Sequence, residues 1–373
     1  MRTSEGVIEP VSASGASAAR RWDQRDKMHL AGMIGFVLLL NLVGWGVLLL
    51  AVAPREYALG GTEVYGVGLG VTAFLLGVRH AFDADHIAVI DNTTRKLVGE
   101  GKAGIGVGFW FGLGHSSVVF GASLLIVLGV DAVGGTVQNE QSSAAMGLGL
   151  IGSLAAGGFL LLIGLTNLAS VVGIFKVFRG MRSGKFDEST LEHHLHNRGF
   201  LARLLTRATR RVTKPWHVYP VGFLMGLGFD TASQVALLVV AAGTAAFVLP
   251  WYAILVLPVL FAAGMTLFDT ADGVFMSRAY GWAFLRPVRK VYYNLTITLL
   301  SVIIALAVGV IVLTALAVDQ LGITSGPVAA VGSLELDLVG YGVVGLFLAA
   351  WLIAVVVWKV GRFEDRYPVT PAG

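Results

Sequence analysis

The sequence predicts an all-α polytopic membrane protein with about eight transmembrane helices and both termini in the cytoplasm. Of the 373 residues, 55% are apolar and only 13% are charged, whereas a soluble domain carries charge on about a quarter of its residues. The apolar residues form runs of roughly 20 or more, the length that a helix needs to cross a bilayer. The basic residues lie between these runs, so they indicate topology and do not predict nucleic-acid binding.

The chain is expected to begin with a disordered, basic cytoplasmic tail over residues 1–27, which is rich in Ser and Ala. A signal peptide is the alternative, but the apolar run that follows is longer than the core of such a peptide. Spans 1–4 fall within residues 28–178 and spans 5–8 within 216–358, followed by a cytoplasmic tail over 359–373. The eight predicted spans cover residues 28–52, 64–93, 104–130, 144–178, 217–241, 246–277, 291–318 and 338–358.

The distribution of basic residues predicts the orientation of these spans. Of the 27 Lys and Arg residues, 25 lie in the two tails or in the second, fourth and sixth connections when the fourth is counted from Lys176, and the exceptions are Arg55 and Arg79. By the positive-inside rule, the tails and these connections are cytoplasmic. The largest connection, residues 179–215, is predicted to contain a short basic amphipathic helix that lies on the inner leaflet.

Glycines spaced four residues apart predict close contacts between particular helices. They occur at Gly104, Gly108 and Gly112 in the third span and at Gly222 and Gly226 in the fifth. Small residues at this spacing let membrane helices approach backbone to backbone. Packing is therefore the expected role of these glycines.

A polar stretch, residues 79–87, lies inside the second predicted span. Its sequence is RHAFDADHI, so five of its nine residues are ionisable. Each such residue costs roughly 2.5–3.5 kcal/mol at the centre of a membrane helix, and those that occur there are usually functional. His80, Asp83, Asp85 and His86 together form a nitrogen and oxygen ligand set for a divalent transition metal.

A regular helix would not bring these four side chains to one ion. His80, Asp83 and His86 share an arc of about 120°, and the two histidines are roughly 9 Å apart along the axis. Asp85 points away from that arc. One ion can contact both histidines only if their side chains converge or the helix unwinds, and broken helices are common at the binding sites of secondary transporters. The sequence therefore predicts a distortion of span two near residues 81–85.

Further ionisable residues fall in other predicted spans. His115 is a candidate ligand or a hydrogen-bond partner of one, and Ser116 beside it is expected to bond back to a helix carbonyl. Asp269 and Asp272 share one helix face, where two carboxylates repel each other unless a cation lies between them. Such an acidic, imidazole-bearing interior attracts cations. Arg79 has two open interpretations, a direct role in the pathway and a structural i,i+4 ion pair with an aspartate of the same motif.

Two other observations bear on metal binding. Cysteine is absent, which excludes disulfides and thiolate metal sites. His193, His194 and His196 lie in the large cytoplasmic connection, where a solvated His-rich loop without a role is at least as common as a metal site. We therefore leave these three histidines out of the candidate site.

Four motifs together resemble those of the nickel/cobalt transporter (NiCoT) family. Residues 79–87, 111–119, 227–234 and 264–272 are similar to the family's motifs in spans two, three, five and six. The resemblance implies an eight-span secondary permease that takes Ni²⁺, and in some members Co²⁺, into the cell with high affinity. The metal ion is then the transported substrate, and no prosthetic group is expected.

The resemblance also assigns site residues. It implies that His80, Asp83, Asp85 and His86 bind the metal or are otherwise essential. Gln234 departs from the family, whose span-five motif usually ends in Glu, so it is not expected at the metal site. The further positions expected along the pathway or beside the ligands, of which Asn41 and Phe82 would tune Ni²⁺ against Co²⁺, are Asn41, Arg79, Phe82, His115, Ser116, Asp230, Thr231, Asp269 and Asp272.

Three classes of function fit a buried His/Asp site, and a permease is the first. An intramembrane His/Asp metalloenzyme is the alternative, but it needs an open metal position beside a general base, and no H-E-x-x-H pairing occurs. A metal sensor or a structural subunit is the third hypothesis, but the large cytoplasmic connection leaves little room for a signalling domain. The cytoplasmic connections contain no GxxxxGK[ST] loop, and no ATPase subunit is expected to be required. The expected partners are the metal ion and the lipid bilayer.

Overall fold

The computed structural model describes residues 22–60, 63–128, 143–182, 212–227, 249–283 and 287–334, with five positions between 342 and 349. Almost every described residue lies in a helix. In chain order the helices are α1 (Gln24–Val47), α2 (Val67–Ala81), α3 (Ala84–Gly99), α4 (Val107–Val127), α5 (Ser143–Arg182), α6 (Tyr219–Gly226), α7 (Trp251–Ala283), α8 (Pro287–Leu321) and α9 (Pro327–Gly332).

Within these described residues, five helices are long and apolar enough to cross a membrane, or six if α2 and α3 count as one bent span. Their outer surfaces are apolar: Leu42 and Leu50 on the first span are 72% and 83% exposed. Large exposed apolar surfaces of this kind are those of a protein surrounded by lipid. The all-helical membrane fold is thus confirmed. The predicted amphipathic helix and most of spans five and eight lie outside the described residues.

The first span begins at Gln24, inside the stretch assigned to the tail. Asp23 is its N-cap: the Asp23 carboxylate accepts a bond from the Asp26 backbone N–H (2.8 Å), and the Asp26 carboxylate accepts one from the Asp23 N–H (3.1 Å). This reciprocal capping satisfies two backbone donors. After Val47 the helix continues as a π-helical turn and then a 3-10 turn that ends at Arg55. The span is therefore longer than its apolar run.

A small antiparallel hairpin, which the sequence analysis did not predict, joins the first two spans. Strand β1 (Ala58–Gly60) pairs with β2 (Glu63–Val64). Tyr65 follows the hairpin, is fully buried, and donates its hydroxyl to the Ala253 carbonyl of α7 (2.6 Å). This bond fastens the first connection to the start of α7.

Replacing Tyr65 by phenylalanine should lower the free energy of unfolding by about 1 kcal/mol, because one buried hydrogen bond is lost without a large change in packing. The readout is the thermal unfolding midpoint of the detergent-solubilised chain. Tyr57→Phe is the matched control, since the Tyr57 hydroxyl is only partly buried and bonds to Tyr252 at 3.2 Å. Equal losses in the two variants would contradict a special role for Tyr65.

The glycines predicted to mediate packing do so. A side chain at Gly108 would collide with the backbone carbonyl of Asp269 on α7, and one at Gly222 on α6 would collide with that of Phe111 on α4. Helices α2 and α7 are in the same kind of contact: Gly77 of α2 lies against the α7 backbone, and Gly264 of α7 lies against the α2 backbone. Helix α7 is therefore held in backbone contact with both α2 and α4, and this contact sets the geometry of the site between them.

Candidate metal centre

The second span is broken in the middle of the motif. Helix α2 ends at Ala81, α3 begins at Ala84, and the two helices are bent by 53°. Asp83 takes an extended conformation (φ −65°, ψ 143°), which stops α2, and its carbonyl then accepts the first helical bond of α3, from the Ile87 N–H. The predicted distortion near residues 81–85 is confirmed as a break between two helices.

The break brings three imidazoles together. His80 comes from the end of α2, His86 from the first turns of α3, and His115 from α4; their ring centroids are 4.7–4.8 Å apart in each pairing. One ring nitrogen of each residue lies within 4.8 Å of the others, which is close enough for one metal ion. All three rings are buried, with exposures of 8%, 0% and 3%. We call this group the imidazole cluster.

In two of the three imidazoles, a carboxylate contacts the Nδ1 atom of the ring. Asp83 Oδ2 lies 2.8 Å from His80 Nδ1, and Asp269 Oδ1 on α7 lies 3.3 Å from His86 Nδ1. A carboxylate at one ring nitrogen fixes the tautomer and orients the other nitrogen towards a metal. On His80, Nε2 is the nitrogen that faces His115, at 3.1 Å between the two Nε2 atoms. The His86 Nε2 has no hydrogen-bond partner among the described residues.

Asp85, the fourth residue of the predicted ligand set, makes a local contact instead. Its Oδ1 accepts a bond from the backbone N–H of His86 at 2.9 Å, in the first turn of α3. A carboxylate in that position is favoured by the free N–H groups of a helix start. The structure thus joins His80 and His86 and places both motif carboxylates at the break. Metal binding by Asp83 and Asp85 stays a prediction.

The remaining candidates have separate environments. Ser116 bonds back to the Gly112 carbonyl at 2.7 Å, as predicted. Asn41 does the same with the Val37 carbonyl on α1, at 2.9 Å. The Phe82 ring packs on Phe268 of α7, with centroids 5.4 Å apart. Arg79 lies in the last turn of α2 and Asp272 one turn beyond Asp269 on α7, whereas Asp230 and Thr231 lie outside the described residues.

Sequence reasoning missed a second buried polar group on α3. The Tyr280 hydroxyl donates a short hydrogen bond to Asp91 Oδ1 and lies 3.2 Å from Ser301 Oγ. Next to it, the amide of Asn167 donates to Asn92 Oδ1 at 2.8 Å. The signal was present, because Asp91 falls within the predicted second span.

Helices long and apolar enough to cross a membrane, together with buried imidazoles and carboxylates at a helix break, are the features of an integral membrane protein with a candidate metal site in its interior. Comparison with known proteins makes this assignment specific. Residues 66–357 match the family described as high-affinity nickel-transport protein (NicO). The chain belongs to this family.

Individual relatives agree with the family match. The chain is 53% identical over 344 residues to the nickel transporter NicT of Mycobacterium tuberculosis, with 92% of each chain covered. It is 42% identical to the nickel transporter NixA of Staphylococcus aureus, covering 92% of this chain and 98% of the relative. It is 38% identical to the cobalt transport protein NhlF of Rhodococcus rhodochrous, covering 92% and 95%. No solved structure matches the chain.

Proposed function

We propose that this protein takes up Ni²⁺ across the cytoplasmic membrane as a secondary permease, and that the imidazole cluster at the break in span two binds the ion. The observation that carries the proposal is the convergence of His80, His86 and His115, with one nitrogen of each within 4.8 Å of the others. Membership of a nickel-transport family supports nickel as the ion. The ion is substrate, and the protein is a transporter rather than an enzyme.

The ligand chemistry suits this ion. Imidazole nitrogens bind Ni²⁺ well, whereas carboxylates and water alone suit Mg²⁺, Ca²⁺ and Mn²⁺. Asp83 and Asp85 add negative charge at the break, and either can complete the coordination sphere. Co²⁺ has nearly the same demands, and one relative is named a cobalt transport protein. Cu²⁺ and Zn²⁺ bind such ligands more tightly than Ni²⁺ or comparably, so selection must come from the shape of the site.

The proposal includes a topology and an energy source. The basic residues support eight spans with both termini in the cytoplasm. The membrane potential is worth about 2.3 kcal/mol per charge per 100 mV, and a divalent ion gains roughly twice that on entering the cell. Uptake driven by this potential, with or without proton coupling, needs no ATPase subunit.

Transport by the purified chain is the test. The full-length protein is reconstituted into liposomes, an inside-negative potential is imposed, and uptake of radiolabelled Ni²⁺ is followed at low concentration. Saturable uptake that His80→Ala abolishes is the expected result, because the variant removes a ligand at the centre of the cluster. His193→Ala, in the cytoplasmic connection, is the histidine control and should transport normally. Nickel binding without flux in the wild-type chain would contradict the permease.

A further inference from the structure

The polar group around Asp91 lies beyond the imidazole cluster, towards the end of α3. Its members are almost completely buried: Asp91 and Ser301 are 0% exposed, Tyr280 is 2% and Arg95 is 6%. They come from α3, α7 and α8, so three helices contribute polar side chains to one apolar interior. Buried charged groups inside a membrane fold are unfavourable unless they are paired or used.

Besides Asp269 Oδ2 at the imidazole cluster, two carboxylate oxygens farther on lack hydrogen-bond partners among the described residues. Asp91 uses Oδ1 to accept the Tyr280 hydroxyl, whereas its Oδ2 is buried with no hydrogen-bond partner among the described residues. The same is true of Asp272 Oδ2 on α7. A buried carboxylate oxygen without a donor is strongly unfavourable. Two such oxygens in neighbouring elements indicate a place for a cation.

Three carboxylates follow the imidazole cluster in order along α7 and then on α3, and we call this series the carboxylate line. Asp269 contacts His86, Asp272 follows one turn later on the same helix, and the charges of Asp269 and Asp91 both act on Asp272. Helices α3 and α7 are close here, because a side chain at Gly273 would lie 3.8 Å from Ile90 Cγ2. An ion that leaves the imidazoles along this line therefore meets oxygen ligands next.

Arg95 supplies a fixed positive charge at the far end of this line. It lies one turn beyond Asp91 on α3, and its charge acts on Asp91. Its Nε and Nη2 have no hydrogen-bond partner among the described residues. A guanidinium stays protonated in a protein, so Arg95 attracts the carboxylate permanently and repels any metal ion that approaches it.

We propose that Asp91 and Asp272 form a second, weaker site for the transported cation, and that the positive charge of Arg95 keeps this site weak enough for the ion to leave it. This inference rests on the proposed function. Oxygen ligands hold Ni²⁺ less tightly than imidazoles, and permeation requires successive sites that are weak enough to leave. The imidazole cluster selects the ion, and the weaker site at Asp91 and Asp272 then binds it before release.

Equilibrium binding of radiolabelled Ni²⁺ to the full chain in lipid nanodiscs tests the second site directly. The wild-type chain should bind two ions, one tightly and one weakly. Asp91→Asn and Asp272→Asn should each remove the weak ion and leave the affinity for the tight ion within about twofold, because the imidazole cluster is intact. Uptake into liposomes should fall about tenfold or more, since an intermediate binding site is lost. Asp319→Asn, an exposed aspartate at the end of α8, is the matched control.

Arg95→Gln separates a role in release from a purely structural one. Removing the guanidinium should tighten the weak site by about tenfold, because a nearby repulsive charge is gone. Uptake at saturating nickel should slow at the same time, since the ion leaves the second site less readily. If Arg95 had only a structural role, the substitution would weaken or abolish nickel binding at both sites. That result would overturn the proposed role of Arg95 in ion release.

The outcomes distinguish this second site from the proposed function. A wild-type chain that binds a single ion, or an Asp91→Asn chain that still binds two, would overturn the second site alone. Tight binding that persists in His86→Ala would overturn the imidazole site, and the second site that receives its ion would fall with it. Loss of only the weak ion in both aspartate variants supports the second site.

Discussion

Replacing Asp83 by asparagine is expected to abolish high-affinity nickel uptake while leaving the chain folded. Asparagine keeps the shape of the side chain but removes the charge that lies 2.8 Å from His80 Nδ1. Loss of a partner behind a metal-binding histidine typically reduces affinity 10–100-fold, and loss of a direct oxygen ligand reduces it further. Uptake of radiolabelled Ni²⁺ at low concentration should therefore fall about 100-fold.

Folding is measured on the same preparations. The Asp83 side chain makes no capping hydrogen bond to α3, so the substitution removes no bond from the helix start. The thermal unfolding midpoint should therefore stay close to that of the wild type. Asp319→Asn makes the same chemical change at an exposed position and should transport normally. Normal uptake by the Asp83→Asn chain would show that the motif carboxylate is dispensable.

A Gly108→Ala substitution is expected to damage the packing of α4 against α7. The added methyl group would meet the Asp269 backbone carbonyl, which cannot move like a side chain. Overpacking of this kind costs about 1–3 kcal/mol. The helices would have to separate, which would also shift the Asp269 carboxylate away from His86. Lower thermal stability and lower uptake should appear together.

Gly121→Ala on the same helix is the control that isolates the contact. A side chain at Gly121 meets nothing within 4 Å, and alanine favours a helix over glycine by up to about 1 kcal/mol. This variant should be as stable as the wild type or more so. If both alanine variants behaved alike, helix propensity and not the α4–α7 contact would explain the result.

Local features of the sequence predicted several of these structural features. The cost of charges in a span, together with the spacing of His80 and His86, predicted a distortion, and the chain breaks between Ala81 and Ala84. Small residues at i,i+4 spacing predicted close helix contacts, and Gly108 and Gly222 lie against backbone carbonyls. In each case the information is contained within about ten residues of chain.

Contacts between distant segments could not be predicted in the same way. His86 and Asp269 are 183 residues apart, and their contact depends on how α3 packs on α7. Helical-wheel geometry also assumed a straight axis, and it loses its meaning across a bend of 53°. The sequence therefore identified His115 and Asp269 as candidate site residues, but it could not predict which side chains they contact. The strands of the hairpin before Tyr65 have only three and two residues, which is too short for an alternating strand pattern to be recognised in the sequence.

The break at Phe82 also shapes the electric field of the site. Two helix ends of opposite polarity meet there: the carbonyl end of α2, which carries a partial negative charge, and the amide end of α3, which carries a partial positive one. The first end attracts a cation and the second repels it, so Asp83 and Asp85 at the start of α3 offset a repulsion that comes from the backbone itself. Neutralising both aspartates would then leave more than a neutral pocket. Without the two carboxylates, the ion would meet the partial positive charge of the α3 amide end. The energy barrier to entry of the ion would then be higher from the α3 side than from the α2 side.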